Sequence, residues 1–233
     1  MKFLIHILFP TALSVVFLSC KNDKYETSLE SKKMDIKKVE EEIVNNKFKY
    51  TDLVTEWKAN SSNEFYLMKK IDDFKFTAIY KPYSILVMEE LQDVNIEDTI
   101  SIEFQKKTAN YNNMHFLNFS IENETFKNEL IKLDVENNQA YYDRITYYSF
   151  AAKNEAYIVE DKDTLKCDFI NFERTFEAKP SIMLSLGFTR KSTTSNYKNL
   201  KFVFEDKIFS KGKLIFNFDT QPILLLNYLK PLS

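Results

Sequence analysis

Glycine is nearly missing from this chain. Only Gly187 and Gly212 occur in 233 residues, and prolines number five. Collagen-like repeats, Gly/Ser linkers and any Gly-rich phosphate cradle are excluded by that shortage. Histidine and cysteine are equally scarce, at two each. A zinc site built wholly from protein ligands would have to use nearly all of them, so none is expected. Arginine is limited to Arg144, Arg174 and Arg190, and the formal net charge is −2. A protein that grips nucleic acid needs a basic surplus and favours Arg for bidentate contacts, so no nucleic-acid partner is expected. No cofactor motif is found either, and no G-x-S-x-G, H-E-x-x-H or C-x-x-C.

What is present is grease and charge in ordinary proportion. Hydrophobic residues make up 44%, charged residues 28% and aromatics 15%, with 21 Phe and 13 Tyr. That inventory suits one globular domain with a core that needs no disulfide.

The first twenty residues differ from the rest. Lys2 precedes an almost wholly apolar run from Phe3 to Leu18, and small Ser19 precedes Cys20. Charge, apolar span and small-residue cleavage site are the layout of an export signal. The span is short for a bilayer-crossing helix, and Pro10 interrupts it. The ending Phe17-Leu18-Ser19-Cys20 resembles the lipobox of bacterial lipoproteins, with Phe17 where that family usually has Leu. The resemblance implies cleavage between Ser19 and Cys20 and acylation of Cys20. More than one acyl chain makes such attachment durable. The wealth of Asn, Lys, Phe and Ile, beside few Gly and Arg, resembles lipoproteins of flavobacteria and their relatives. The expected location is therefore the cell envelope, at the outer membrane, through a lipid anchor.

Three segments are expected: a signal peptide at 1–19, a lipidated Cys20 with a polar tether over 20–47, and one globular domain over 48–233. Within the tether, Ile36, Val39 and Ile43 recur at helical spacing. That stripe fits either partial helix in a tether or a partner-binding amphipathic helix.

Along the body, alternation of apolar and polar residues marks strands. It runs through 65–68 and 74–80, joined by an Asp72-Asp73 turn, and through 114–121, 182–188, 200–205 and 214–219. Residues 98–104 alternate too. Pro82 opens a helical stretch to Leu91. Phe126, Leu130 and Leu133 suggest a short helical stripe, and Tyr141, Ile145 and Tyr148 share a helical face. Ala156–Glu160 and Thr164–Phe172 read as a hairpin about Asp161-Lys162-Asp163, with Leu165, Cys167 and Phe169 on one face. The fold class expected is α+β, an antiparallel sheet with a few helices packed on one face; the alternative is a β-sandwich with helical insertions.

Several groups could carry chemistry. Cys167 reads as a small buried hydrophobe or, paired with His115, as a nucleophile. Asp161 and Asp163 form a solvated turn, too short and glycine-free for calcium. Glu89-Glu90 reads as a wet helix face. Glu173-Arg174 reads as a strand-end ion pair or, with Arg190, an anion clamp. The tyrosines 141, 142, 147 and 148 form a core face or a stacking surface for a sugar or peptide. None amounts to a catalytic constellation, so no catalytic residue and no metal ligand is named. The expected role is a binding or assembly module with an envelope protein or glycan as partner. The alternative is an envelope hydrolase working through carboxylates.

Overall fold

The structure is a computed structural model that describes residues 65–91, 106–174, 180–191 and 197–227. The expected leader at 1–19, Cys20, the expected tether over 20–47, the expected start of the body at Phe48 and the alternating run at 98–104 lie outside the described residues.

Alternation builds the first sheet. Strands β1 (Tyr66–Ile71) and β2 (Phe74–Lys81) form a hairpin about Asp72-Asp73. Asp72 takes φ of 52°, a left-handed value that short polar side chains tolerate. Helix α1 (Tyr83–Leu91) follows, and the Pro82 carbonyl accepts its first bonds from Ile85 and Leu86. Proline serves there because its missing N–H is not needed at a helix start. Strand β3 (Met114–Asn123) alternates half-buried and buried side chains over its whole length.

A tight helical region comes next. Only Leu130–Lys132 forms a 3₁₀ turn, so the stripe of Phe126, Leu130 and Leu133 packs on the core without a continuous helix. Helix α2 (Asn138–Thr146) is capped by Asn137, whose side chain accepts the Ala140 N–H at 2.9 Å. A π turn at Tyr147–Ala151 and a 3₁₀ turn at Ala152–Glu155 prolong it. Tyr148 is fully buried, Tyr141 and Ile145 pack against the core, and Tyr142 points outward at 60% exposure.

The expected hairpin forms between β4 (Ala156–Glu160) and β5 (Asp163–Lys166). The stretch from Thr164 to Phe172 is not one strand, however. It breaks at Cys167-Asp168 and resumes as β6 (Phe169–Glu173) in the other sheet. Two bonds turn this corner: Asp168 N–H to the Gly187 carbonyl at 2.9 Å, and Thr189 N–H to the Asp168 carboxylate at 2.8 Å. Leu165 and Cys167 therefore face the core, while Phe169 is 52% exposed. The chain closes with β7 (Ser181–Thr189), β8 (Leu200–Asp206), β9 (Gly212–Phe218) and helix α3 (Thr220–Asn227).

Among the described residues every strand pairing is antiparallel. Five strands in the order β1-β2-β3-β7-β6 make one sheet, and four in the order β5-β4-β8-β9 make the other. The α+β, antiparallel expectation holds, in a form that shares the two-sheet layout of its alternative. Phenylalanines join the sheets. Phe119 of β3 meets Phe202, Phe204 and Phe216 at ring separations of 5.4, 4.7 and 6.1 Å. Phe188 meets Phe202 at 6.1 Å, and Tyr80 meets Phe218 at 5.8 Å. Separations of that size are the favoured range for aromatic pairs. Alternation makes this zipper: β3 and β9 bury every second side chain in the shared interior.

Candidate functional site

A polar cluster interrupts this interior at one end of the two sheets. Tyr80 comes from the end of β2 and His115 from the start of β3. Arg190 follows β7, and its N–H donates to the Asn113 carbonyl at 2.8 Å, which holds it beside the start of β3. Glu160 ends β4 in the opposite sheet, and Tyr197 lies just before β8.

The contacts are short and paired. The Arg190 guanidinium donates to both oxygens of Glu160, at 2.9 Å from Nε and 2.7 Å from Nη2. His115 Nε2 lies 2.7 Å from Glu160 Oε2, and its Nδ1 lies 2.7 Å from the Tyr80 hydroxyl. The Tyr197 ring stands edge-on to His115 at 5.3 Å and under Arg190 at 5.0 Å. His115 is 1% exposed, Arg190 6% and Glu160 12% by side chain.

These partners assign the protons. Burial lowers the basicity of His115 below its usual 6.5 more than Glu160 restores it, and nearby Arg190 lowers it too. The ring is neutral at pH 7. A carboxylate can only accept, so Nε2 carries the proton and donates to Glu160. Nδ1 then accepts from the Tyr80 hydroxyl. Burial would raise the Glu160 carboxyl, but the Arg190 and His115 hydrogen bonds outweigh it and bring it down to about 2. Burial pushes the Tyr197 phenol up, so it stays protonated. The result is one ion pair clasping the two sheets, with a neutral histidine wedged behind it. A proton could shift along Tyr80, His115 and Glu160, but the Tyr80 phenol is itself only 1% exposed.

The other candidates are scattered. Cys167 does not meet His115, whose ring nitrogens face Tyr80 and Glu160; its thiol lies 3.0 Å from the Phe169 carbonyl. Burial pushes that thiol up to about 11, so it is no thiolate at neutral pH. Arg174 and Arg190 do not act together. Arg174 donates to the Tyr141 hydroxyl at 3.1 Å, which in turn donates to Glu129. Asp163 pairs with Lys191 at 2.9 Å, while Asp161 receives the N–H groups of Lys198 and Asn199. Glu89 meets Lys81, and Glu90 meets Lys107 and Tyr111. Among the described residues, no group of three or more His, Cys, Asp or Glu is placed to hold a metal ion, and no helix is long and apolar enough to cross a membrane.

Tyr80 and Tyr197 carry no site signal in the sequence, and Glu160 stands out there only as a neighbour of the solvated Asp161–Asp163 turn. Glu160 looks there like any strand-end acid, and only strand pairing brings it to Arg190. The scarcity of Arg and His was the one available signal, since rare residues of a chain converge here.

No family model matches the chain, and no curated protein matches it. Two solved structures are similar in outline. One, a protein of unknown function from Burkholderia pseudomallei, has a TM-score of 0.33 at 11% identity and covers 84% of this chain and 94% of its own. The other, a DUF4426 family protein from Pseudomonas aeruginosa PAO1, has a TM-score of 0.31 at 10% identity and covers 66% of this chain and 92% of its own.

Proposed function

We propose that this protein is a lipid-anchored component of the cell envelope, held by acyl chains on Cys20 at the outer membrane. Its body binds or assembles with an envelope protein or glycan rather than turning over a substrate. The leader from Met1 to Cys20 supports the anchor. The observation that carries the binding role is the engagement of the chemistry-bearing groups with one another. His115 is sealed, with a protein partner at each ring nitrogen, and Glu160 is committed to Arg190 and His115. Cys167 is buried and protonated. Aromatic side chains, by contrast, stand outward: Phe150 is 69% exposed, Tyr142 60% and Phe169 52%. Aromatics of that kind are the favoured anchors of binding surfaces.

Two experiments test this. Labelled fatty acid fed to the native cell should enter the wild-type protein and not the Cys20→Ala variant. Pull-down of the acylated protein from its own envelope should enrich a specific partner. An unlabelled chain in the cytosol with its leader attached would remove the anchor. Turnover of a sugar or ester by the purified body would remove the binding role.

A further inference from the structure

Sheet edges are the places where one chain can add to another. An edge strand presents a row of backbone N–H and C=O groups, and proteins blunt such rows with charge, proline or shortness. Among the described residues, three of the four sheet ends are blunted. Strand β1 carries Lys69 and Lys70, β5 has four residues with Asp163 and Lys166 at its ends, and β9 carries Lys213 in its second position. The fourth, β6, reads Phe169-Ile170-Asn171-Phe172-Glu173, with no cation and no proline. It ends the five-stranded sheet, and among the described residues no strand pairs with it on the side away from β7. Its side chains alternate between exposed and half-buried.

We propose that β6 pairs with β6 of a second copy of this chain, antiparallel about a two-fold axis at Asn171, so that two five-stranded sheets become continuous. This deepens the assembly reading above, and rests on it, by naming the partner. The segment is self-complementary in that register. Asn171 faces itself, Ile170 faces Phe172, and Phe169 faces Glu173. The half-buried Ile170 and Phe172 share one face, so their pairing extends the apolar interior across the joint twice. One residue further out, Asp168 falls opposite Arg174, and this opposite-charge pair also occurs twice.

Neighbouring registers lose the match. Moving the axis to Ile170 sets Asp168 against Phe172, and moving it to Phe172 sets Ile170 against Arg174. Each places a charge against an apolar side chain on the half-buried face, whereas in the proposed register the Phe169–Glu173 pair lies on the exposed one. Asp168 is already fixed at the edge by the Thr189 N–H on Oδ2. A joint of one short strand is a small interface of the transient class. Tethering both copies to one membrane raises their effective concentration and favours it.

The test is a cysteine on the axis. Residues directly opposite in an antiparallel pair have Cα atoms about 4.5–5.5 Å apart, within disulfide reach. Full-length Asn171→Cys protein, oxidised gently in its native membranes, should give a dimer that reductant dissolves. Glu173→Cys should not, because its twin would lie well beyond the roughly 7 Å limit. On the Asn171→Cys background, Arg174→Glu should cut dimer yield several-fold, and Arg174→Lys, which keeps the charge, should largely preserve it. A circular dichroism spectrum unchanged from wild type shows that each variant folds. Folded Asn171→Cys protein without a dimer, or equal cross-linking through Glu173→Cys, overturns the pairing. If that monomer is still acylated and still enriches another envelope protein, only the self-pairing falls. An unacylated monomer without partners ends both.

Discussion

Glu160 is the residue on which most of the polar chemistry depends. Removing one partner from a buried ion pair leaves a charge without compensation, at a cost of about 3–5 kcal/mol. Glu160→Gln should therefore lower the urea midpoint sharply, because Arg190 keeps its charge at 6% exposure. A midpoint within experimental error of wild type would show that the clasp contributes nothing. His115 adds a pH dependence. Its folded proton affinity lies below the usual value of 6.5, so the unfolded chain binds a proton that the folded chain refuses. Stability must then fall as pH drops below about 6.5, with a slope of at most about 1.4 kcal/mol per pH unit. Glu160 adds a second window in the same direction. Its stabilisation is present above the usual 4.5 and is lost as pH falls toward about 2. Urea titrations between pH 7 and 5 should show the first slope in wild type and a flat line in His115→Gln.

Among the elements, turns are where sequence and structure agree most closely. The β8–β9 connection contains Ser210 at φ of 56° and Gly212 at φ of 72°. Asp206 organises it, accepting the N–H groups of Ile208, Phe209 and Lys211 on its two oxygens. Asp206 is 3% exposed, so losing the carboxylate strands these donors where water reaches poorly. Asp206→Ala should cost about 1–3 kcal/mol in thermal or urea unfolding. A loss under half a kcal/mol (~0.5) would mean that the turn holds without it. The corner at Cys167-Asp168 is different in kind. Its residues continue an extended pattern, and nothing local marks a break. The corner exists because Asp168 finds the Gly187 carbonyl and the Thr189 N–H on a strand some twenty residues later. Phe169 then lies over Gly187, where an added methyl group would come within 3.3 Å of the Phe169 Cβ.

For the molecule as a whole, the contact between sheets is the principal store of stability. Phe119 touches three phenylalanines of the second sheet and is 1% exposed. Phe119→Ala should cost about 3–5 kcal/mol, read as a fall in melting temperature, while Phe150→Ala at the surface should cost little. Equal losses at the two positions would contradict the sandwich. The strands of that sandwich were legible because period-two alternation is a local property, visible in Phe74, Phe76, Ala78 and Tyr80 or in Leu214, Phe216 and Phe218. A pattern of that kind says that one face of each strand must be covered, and it says nothing of what covers it. Division into two sheets depends on which strand ends meet, as at Glu160 and Arg190, thirty residues apart. The proposed export address in the first twenty residues rests wholly on the sequence, since charge, apolar length and a small residue before cysteine are read in order along the chain. The joining of Tyr80, His115, Glu160 and Arg190 belongs wholly to the tertiary structure. Hydrogen bonds and ion pairs act over a few ångströms of space, and only folding brings those four side chains within that reach.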